Sequence, residues 1–348
     1  MQIKNVSLKN KKDLQIWEEF LTEHGINNFG SAEISKVDET IALFEDRRML
    51  ATGSLAGNVL KYIAVESEGS SSEFNTILSQ LTNLAAGKGI FHLFVFTKPK
   101  YSKAFQFIGF KELAQSSDAA LLESGDYLIG DYLAELPRVV NQGEKKIAGI
   151  VMNANPFTKG HRYLVEKAAS ENDYVYVFVV STDASLFNSE ERLQLVKKGT
   201  TDLKNVFVVS GGDYMVSYAT FPAYFLASDQ TVIEYQTTLD ALIFKNQIAP
   251  ALNIQTRFLG EEPFSKTTGI YNQVLKKVLP PIVAVKIIPR AKTQFKTIIT
   301  ATKVRQLIAK NNLVPLKQFL PSTTIKYVEE HKDELQLRIK KGININGN

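Results

Sequence analysis

One segment, Gly149-Ile-Val-Met-Asn-Ala-Asn-Pro-Phe-Thr-Lys-Gly-His161, limits the architecture of this chain more than any other. An apolar run of strand length ends in a polar turn carrying Thr158-x-Gly160-His161. Apolar residues at helical spacing begin at once, through Tyr163, Leu164, Val165, Ala168 and Ala169. A buried strand that feeds straight into a helix is the opening of an alternating α/β domain.

The alternation continues. Ile147–Met152, Tyr174–Val180 and Val206–Val209 read as strands, and His161–Ala169 and Asn188–Lys198 as helices. Asn188 with Glu191 three residues later has the spacing of a capping box. Further on come a strand over Ile254–Leu259, a helix over Thr268–Leu279, a strand over Val283–Ile288 and a helix over Thr302–Lys310. This order predicts a Rossmann-like, doubly wound parallel sheet over residues 147–340, with ligands beyond the carboxyl ends of the strands. Residues 213–250, rich in Tyr, Phe and Thr, interrupt the alternation and are expected to form an inserted helical lobe. Residues 341–348 are expected to be a flexible tail.

The first part of the chain reads differently. A helix over residues 13–23, closed by Gly25, precedes antiparallel strands at Thr40–Glu45 and Leu50–Ala56. Val59–Val65 and Phe91–Phe96 add strands, with a helix over Glu73–Ala86 between them. Periodicity weakens over Gly125–Lys146, so the expected organisation is an α+β domain over 1–135, a linker at 136–146 and the α/β domain after it.

Composition excludes several functions. No run of about 18 apolar residues occurs, so no membrane span is expected, and Met-Gln-Ile-Lys-Asn-Val lacks the apolar core of a signal peptide. The expectation is a cytoplasmic protein. The chain has no cysteine, which rules out disulfides, thiolate metal sites and a thioester carried on this polypeptide. A net charge of +5, scattered in short clusters such as Lys9–Lys12, Lys145-Lys146 and Arg338–Lys341, lacks the basic stripes of a nucleic-acid binder. These clusters read as solvated surface.

The first turn has the chemistry of a phosphate site. Gly160 lets a ligand approach the backbone, and His161 opens a helix whose unpaired N–H groups and dipole favour anions. A histidine there can donate to phosphoryl oxygens as charge builds on them. Thr158 offers a hydroxyl, and Asn153 and Asn155 offer amides at the strand end. A second group, Ile299-Thr-Ala-Thr-Lys-Val-Arg305, places Thr300 and Thr302 before a helix start and Arg305 one turn in. Together these residues predict attack on the α-phosphate of ATP with pyrophosphate leaving. His161 and Arg305 would then stabilise the developing charge. Gly260-Glu-Glu262, Ser181-Thr-Asp183 and Arg290 follow predicted strand ends and are weaker candidates, which turn chemistry explains equally well. His24 and His331 read as surface residues and His92 as part of an apolar strand. No two histidines have metal-ligand spacing, so Mg²⁺ is expected to arrive with ATP.

Asn153-Ala-Asn-Pro-Phe-Thr-x-Gly-His161, Ala219-Thr-Phe-Pro-x-Tyr-Phe-Leu226 and Thr300-Ala-Thr-x-Val-Arg305 resemble the citrate lyase ligases. Gly53-Ser-Leu-x-Gly-Asn-Val-Leu-Lys61 and His92-Leu-Phe-x-Phe-Thr-Lys-Pro99 extend the likeness over nearly the whole chain. The resemblance implies a GNAT-like (acetyltransferase-like) α+β domain joined to a nucleotidyltransferase domain of the HxGH superfamily, with Thr158 at the position of the first histidine. It implies that ATP and acetate form acetyl-adenylate and pyrophosphate. The thiol of the CoA-like prosthetic group on the citrate lyase acyl carrier protein then takes the acetyl group and AMP leaves. His161 and Arg305 carry over as phosphate-stabilising residues, and Asn153, Thr158, Gly160, Thr300 and Thr302 as nucleotide contacts.

One departure stands out. Where acetyltransferases hold the CoA pyrophosphate on a glycine-rich loop, this chain has Glu66-Ser-Glu-Gly-Ser-Ser-Ser-Glu73, with one glycine and three acidic residues. Acidic side chains repel a pyrophosphate, so the first domain is expected to dock the carrier or its pantetheine-like arm. Two other readings stay open from sequence: an adenylyltransferase acting on a phosphopantetheine-like small molecule, and a non-catalytic assembly factor for a lyase complex.

Overall fold

The computed structural model describes residues 1–27, 29, 34–66, 71–182, 185–215, 229–262, 266–294 and 296–346. The chain divides into two compact units: residues 1–132 with the described part of 218–239, and residues 133–217 with 240–348.

In the first unit the elements run β1 (Gln2–Asn5), α1 (Lys11–Glu23), β2 (Glu39–Glu45), β3 (Arg48–Ala56), β4 (Val59–Val65), α2 (Ser71–Gly87), β5 (His92–Thr97), α3 (Pro99–Phe107), β6 (Lys111–Gln115) and β7 (Ala120–Gly125). The short helix α4 (Ile129–Glu135) follows, across the division between the units. The seven strands form one sheet in the order β1-β2-β3-β4-β5-β7-β6. Its pairs are antiparallel except β4 with β5, which run parallel and are joined at Val59↔Phe94 and Leu60↔Val95. Strand periodicity sorts the two faces. Ala42 and Tyr62 pack with Trp17, Phe20 and Leu21 of α1, whereas Ile41 and Leu43 pack with Ile77, Leu78 and Leu81 of α2. Gly53 lets α2 lie close on β3, because a Cβ there would meet Leu81 Cδ1 at 2.7 Å. The α+β expectation for this part of the chain holds. Its segment 67–70, the centre of the degenerate loop, lies outside the described residues.

The second unit alternates as the sequence predicts: β8 (Ile147–Met152), α5 (Lys159–Glu171), β9 (Tyr174–Val179), α6 (Ser189–Gly199) and β10 (Val206–Ser210). After α7 (Asp229–Ile243) and α8 (Ala249–Leu252) come β11 (Ile254–Gly260), α9 (Lys266–Val278), β12 (Ala284–Ile288), α10 (Ala301–Ala309), α11 (Ser322–Glu330) and α12 (Lys332–Lys340). The five strands are all parallel, in the order β10-β9-β8-β11-β12. The order reverses between β8 and β11, so a crevice opens there at the carboxyl ends of the strands. One face of the sheet buries Ile150, Met152, Val175, Val177 and Phe258 with Leu164 and Val165 of α5 and Val304 and Ile308 of α10.

Three expectations need amendment. Gly125–Lys146, read as weakly periodic, contains α4, and the units divide between Tyr132 and Leu133. Arg338, read as part of a solvated cluster, makes a forked ion pair with Glu191 (2.6 and 2.7 Å) and donates to the Leu186 carbonyl at 3.0 Å. The tail is tied down as far as it is described: Ile343 packs on the core and the Ile345 carbonyl accepts from Arg305 Nε at 2.9 Å. In each case the contact joins residues distant in sequence, which local spacing does not reveal.

Candidate functional site

The turn after β8 is held from below by a buried cation. Arg192 of α6 is fully buried and donates from Nε to the Phe187 carbonyl (3.0 Å) and from Nη2 to Thr182 O (2.7 Å). Its Nη1 donates to Val180 O (2.6 Å), Asn153 O (3.0 Å) and Asn153 Oδ1 (2.7 Å). One planar guanidinium thus gathers the chain leaving β8 and the chain leaving β9. With its Oδ1 taken, Asn153 presents its amide N–H₂ outward, where it reaches Ser185 Oγ at 3.4 Å. Asn155 is almost fully buried and its Oδ1 accepts from the Phe187 amide at 3.2 Å. Between them Ala154 sits at φ +51°, the left-handed region that a residue with a Cβ seldom adopts.

Thr158 then starts α5. Its Oγ1 accepts from the His161 amide at 3.3 Å, while the Thr158 amide donates to His161 Nδ1 at 3.1 Å. That is a capping box with histidine in the place usually taken by glutamate. Because Nδ1 accepts, the neutral ring carries its proton on Nε2, which faces the cleft as a donor. The ring lies near-parallel to Phe157, with centroids 6.0 Å apart. Burial, then the positive charges of Arg290 and Arg305, push the His161 pKa down from 6.5 to about 3. His161 is therefore a neutral N–H donor at physiological pH.

Thr300 caps α10, accepting from the Lys303 amide at 3.2 Å. Arg305, one turn later, is fully buried and donates to Asn155 O (2.6 Å), Thr302 Oγ1 (3.1 Å) and Ile345 O. Burial lowers its pKa to about 10, which leaves it a cation at neutral pH.

These elements enclose a cleft of about 890 Å³ in the second unit. Of the residues expected from sequence, Asn153, Asn155, Gly160, His161, Gly260, Thr300 and Thr302 line it. Thr158 and Arg305 do not: Thr158 is buried behind His161, and Arg305 stands behind the turn it braces. Ser181 turns to Ser210 instead (2.9 Å), and Asp183 and the 219–226 motif lie outside the described residues. The N-termini of α5 and α10 both open on the cleft, so their unpaired N–H groups and dipoles reinforce one another for an anion.

Gly160 and Gly260 are not demanded by the protein's own packing. A Cβ at Gly160 would come no nearer than 3.4 Å to any atom, and one at Gly260 would meet nothing within 4 Å. The missing side chains leave space on the cleft side.

Sequence reasoning undervalued Arg290 and missed others. Arg290 lines the cleft, donates to Glu261 O at 2.5 Å and pairs with the Glu262 carboxylate. Lys303, Tyr271 and Asn272 also line it, and Asn272 is fixed by a 3.0 Å hydrogen bond to Gly260 O. Arg192 left no usable signal, since in Ser-Glu-Glu-Arg it reads as a solvent-facing charge of a capped helix. Of the remaining histidines, His92 pairs with buried Glu123 at 3.0 Å, and His24 and His331 bond carbonyls one turn back. Among the described residues no group of three or more His, Cys, Asp or Glu side chains is arranged to hold a metal ion, and no helix is long and apolar enough to cross a membrane.

Comparison with known proteins places relatives at this cleft and beyond it. The family described as citrate lyase ligase C-terminal domain matches residues 147–328. A citrate (pro-3S)-lyase ligase from Escherichia coli is 37% identical over 334 residues, covering 92% of this chain and 91% of that protein. One from Klebsiella pneumoniae is 36% identical over 332 residues, covering 92% and 94%. A phosphopantetheine adenylyltransferase from Corynebacterium diphtheriae is 26% identical over 152 residues, covering 40% of this chain and 94% of that protein.

Proposed function

Because this chain belongs to the citrate lyase ligase family, we propose that its cleft joins acetate to the AMP part of ATP and that the acetyl group then passes to a carrier-borne thiol. A carboxylate oxygen of acetate attacks the α-phosphorus, the bond to the bridging oxygen breaks, and pyrophosphate leaves. The thiolate of the CoA-like prosthetic group on the citrate lyase acyl carrier protein next attacks the acyl carbon, and AMP departs with the carboxyl oxygen. The chain has no cysteine, so no acetyl thioester forms on the enzyme itself.

The observation that carries this reading is the meeting, in one cleft, of a neutral His161 Nε2–H, two helix N-termini and the Arg290 cation. Such a site supplies positioning and preorganised donors, and adenylation needs no enzyme nucleophile. His161 donates to an oxygen of the α-phosphate as charge gathers there, Asn153 and Thr300 contact the nucleotide, and Gly160 and Gly260 admit it. Thr158 and Arg305 act through others: Thr158 sets the His161 tautomer, and Arg305 holds the Asn155 carbonyl and Thr302.

Glu262 is the carboxylate among the described lining residues, and Arg290 occupies it. The donor set therefore does not fit a metal held by the protein, and Mg²⁺ would ride on the phosphate oxygens of ATP. In the first unit, a cavity of about 800 Å³ lined by Phe74, Phe105, Lys98 and Lys100 suits the arm of the carrier. Tighter binding of the holo than of the apo carrier checks that role. The reaction is placed in the cytoplasm.

ATP–pyrophosphate exchange tests the main reading. Exchange should depend on acetate, and His161→Ala should lose about a hundredfold. Exchange driven by a phosphomonoester instead of acetate would make the chain an adenylyltransferase, and no exchange at all would leave an assembly factor.

A further inference from the structure

Beneath the cleft lies a cation that the steps above do not use. Arg257, in the middle of β11, is 1% exposed. Its Nη2 reaches Tyr271 Oη at 3.4 Å, and that hydroxyl donates to Asp240 Oδ2 at 2.9 Å. The guanidinium lies 4.3 Å from the centroid of the Phe244 ring. Phe244 can lie there because the neighbouring residue of β8 is Gly149, where a Cβ would meet Phe244 Cζ at 3.0 Å. On its other edge, Nε and Nη1 have no hydrogen-bond partner among the described residues. Two buried N–H donors of a cation left unmatched are uncommon in a folded protein and call for an acceptor.

The position points to what the acceptor is. Side chains two residues apart on a strand share a face, so Arg257 lies one pleat, about 7 Å, below Leu259. Leu259 lines the cleft, as does Val151, which shares its sheet face with Gly149, and so does Tyr271, whose hydroxyl touches the guanidinium. The Nε/Nη edge of arginine matches the two oxygens of a carboxylate. Asp240, the nearest countercharge in the cluster, is held off by the intervening Tyr271. The adjoining surfaces, Leu259, Val151 and Phe244, are apolar and suit a short alkyl group.

We infer that Arg257 is the carboxylate anchor for the small acid substrate, taking its carboxylate on the Nε/Nη1 edge from the Leu259–Tyr271 side of the cleft. The choice of acetate rests on the reaction proposed above; the anchor itself is a binding claim and is tested by binding.

Acetate should raise the thermal midpoint of the full-length wild type without ATP, and Arg257→Met and Arg257→Lys should abolish that shift. In ATP–pyrophosphate exchange the same variants should raise the acetate KM at least tenfold and leave the ATP KM within about twofold. An unchanged acetate KM and an unchanged acetate-induced shift in Arg257→Met would overturn the inference. If both variants fail to fold, a wild-type crystal soaked in acetate decides: a carboxylate on Nε and Nη1 supports the anchor, and acetate bound only elsewhere removes it. Should wild type show no acetate-dependent exchange, the proposed reaction fails, while the binding measurement still judges Arg257.

Discussion

Thr158 and His161 fix one another across three residues: the Thr158 amide donates to His161 Nδ1 at 3.1 Å, and Thr158 Oγ1 accepts from the His161 amide at 3.3 Å. The cap that starts α5 is thus also the device that aims the Nε2–H. Thr158→Val keeps the volume but removes the hydroxyl. It should cost about 1 kcal/mol of stability, as lost N-caps do, and lower exchange roughly tenfold, whereas Thr158→Ser should restore most of both. Urea unfolding alongside exchange rates checks this, and unchanged exchange in Thr158→Val would separate the cap from catalysis.

The pH behaviour follows from the depressed His161 pKa. The folded ring titrates near 3 and the unfolded ring near 6.5, so the unfolded chain binds the extra proton between these values. Stability from this group is fully present above pH 6.5 and falls as pH drops toward 3, by at most about 2 kcal/mol at pH 5. His161→Gln should lose less stability than wild type between pH 7 and pH 5. In Arg290→Gln the His161 pKa should rise, because one of the charges holding it down is gone; ring-proton NMR titration reads this directly.

Gly160→Ala separates packing from ligand approach. The nearest atom to the added methyl is 3.4 Å away, and alanine is the better helix former, so the thermal midpoint should hold or rise slightly. The ATP KM should nevertheless increase tenfold or more. A stable variant with an unchanged ATP KM would show that no nucleotide passes close to this residue.

Arg305 and His161 should behave as one unit. Arg305 braces the Asn155 carbonyl and Thr302 from inside the wall, so Arg305→Lys should lower kcat more than it raises the ATP KM. The double variant with His161→Ala should be little worse than His161→Ala alone. Additive losses would instead mean that Arg305 touches the phosphates independently.

Arg192 makes a stability prediction. Arg192→Met strands the carbonyls of Asn153, Val180, Thr182 and Phe187, and should destabilise by about 3–5 kcal/mol, as breaking a buried charged cluster does. A cost under 1 kcal/mol, measured by urea unfolding, would mean that the two strand ends hold their shape without it.

Local chemistry made much of this molecule legible from its residues. The period-two runs of β8 and β9, the capping spacings of Thr158–His161 and Asn188–Glu191, and the helix-start threonine at 300 all act within a few positions. Neighbours in sequence therefore suffice to announce them. Seven of the expected site residues, Gly160 and His161 among them, line the cleft because a strand end and a helix start can point only there.

The arginines were another matter. Arg192, Arg257, Arg290, Arg305 and Arg338 look alike in sequence, each a charge in a half-polar segment. Their roles depend on carbonyls, carboxylates and rings that the fold brings from elsewhere: Arg305 from Asn155, 150 positions away, and Arg338 from Glu191, 147 away. The amino-acid order by itself settled the alternating architecture, the family and the place of the cleft, since each rests on periodicity and short spacing. Only the tertiary structure decided which cations brace the walls and which face the ligand, because burying a guanidinium is tolerable only where distant acceptors converge on it.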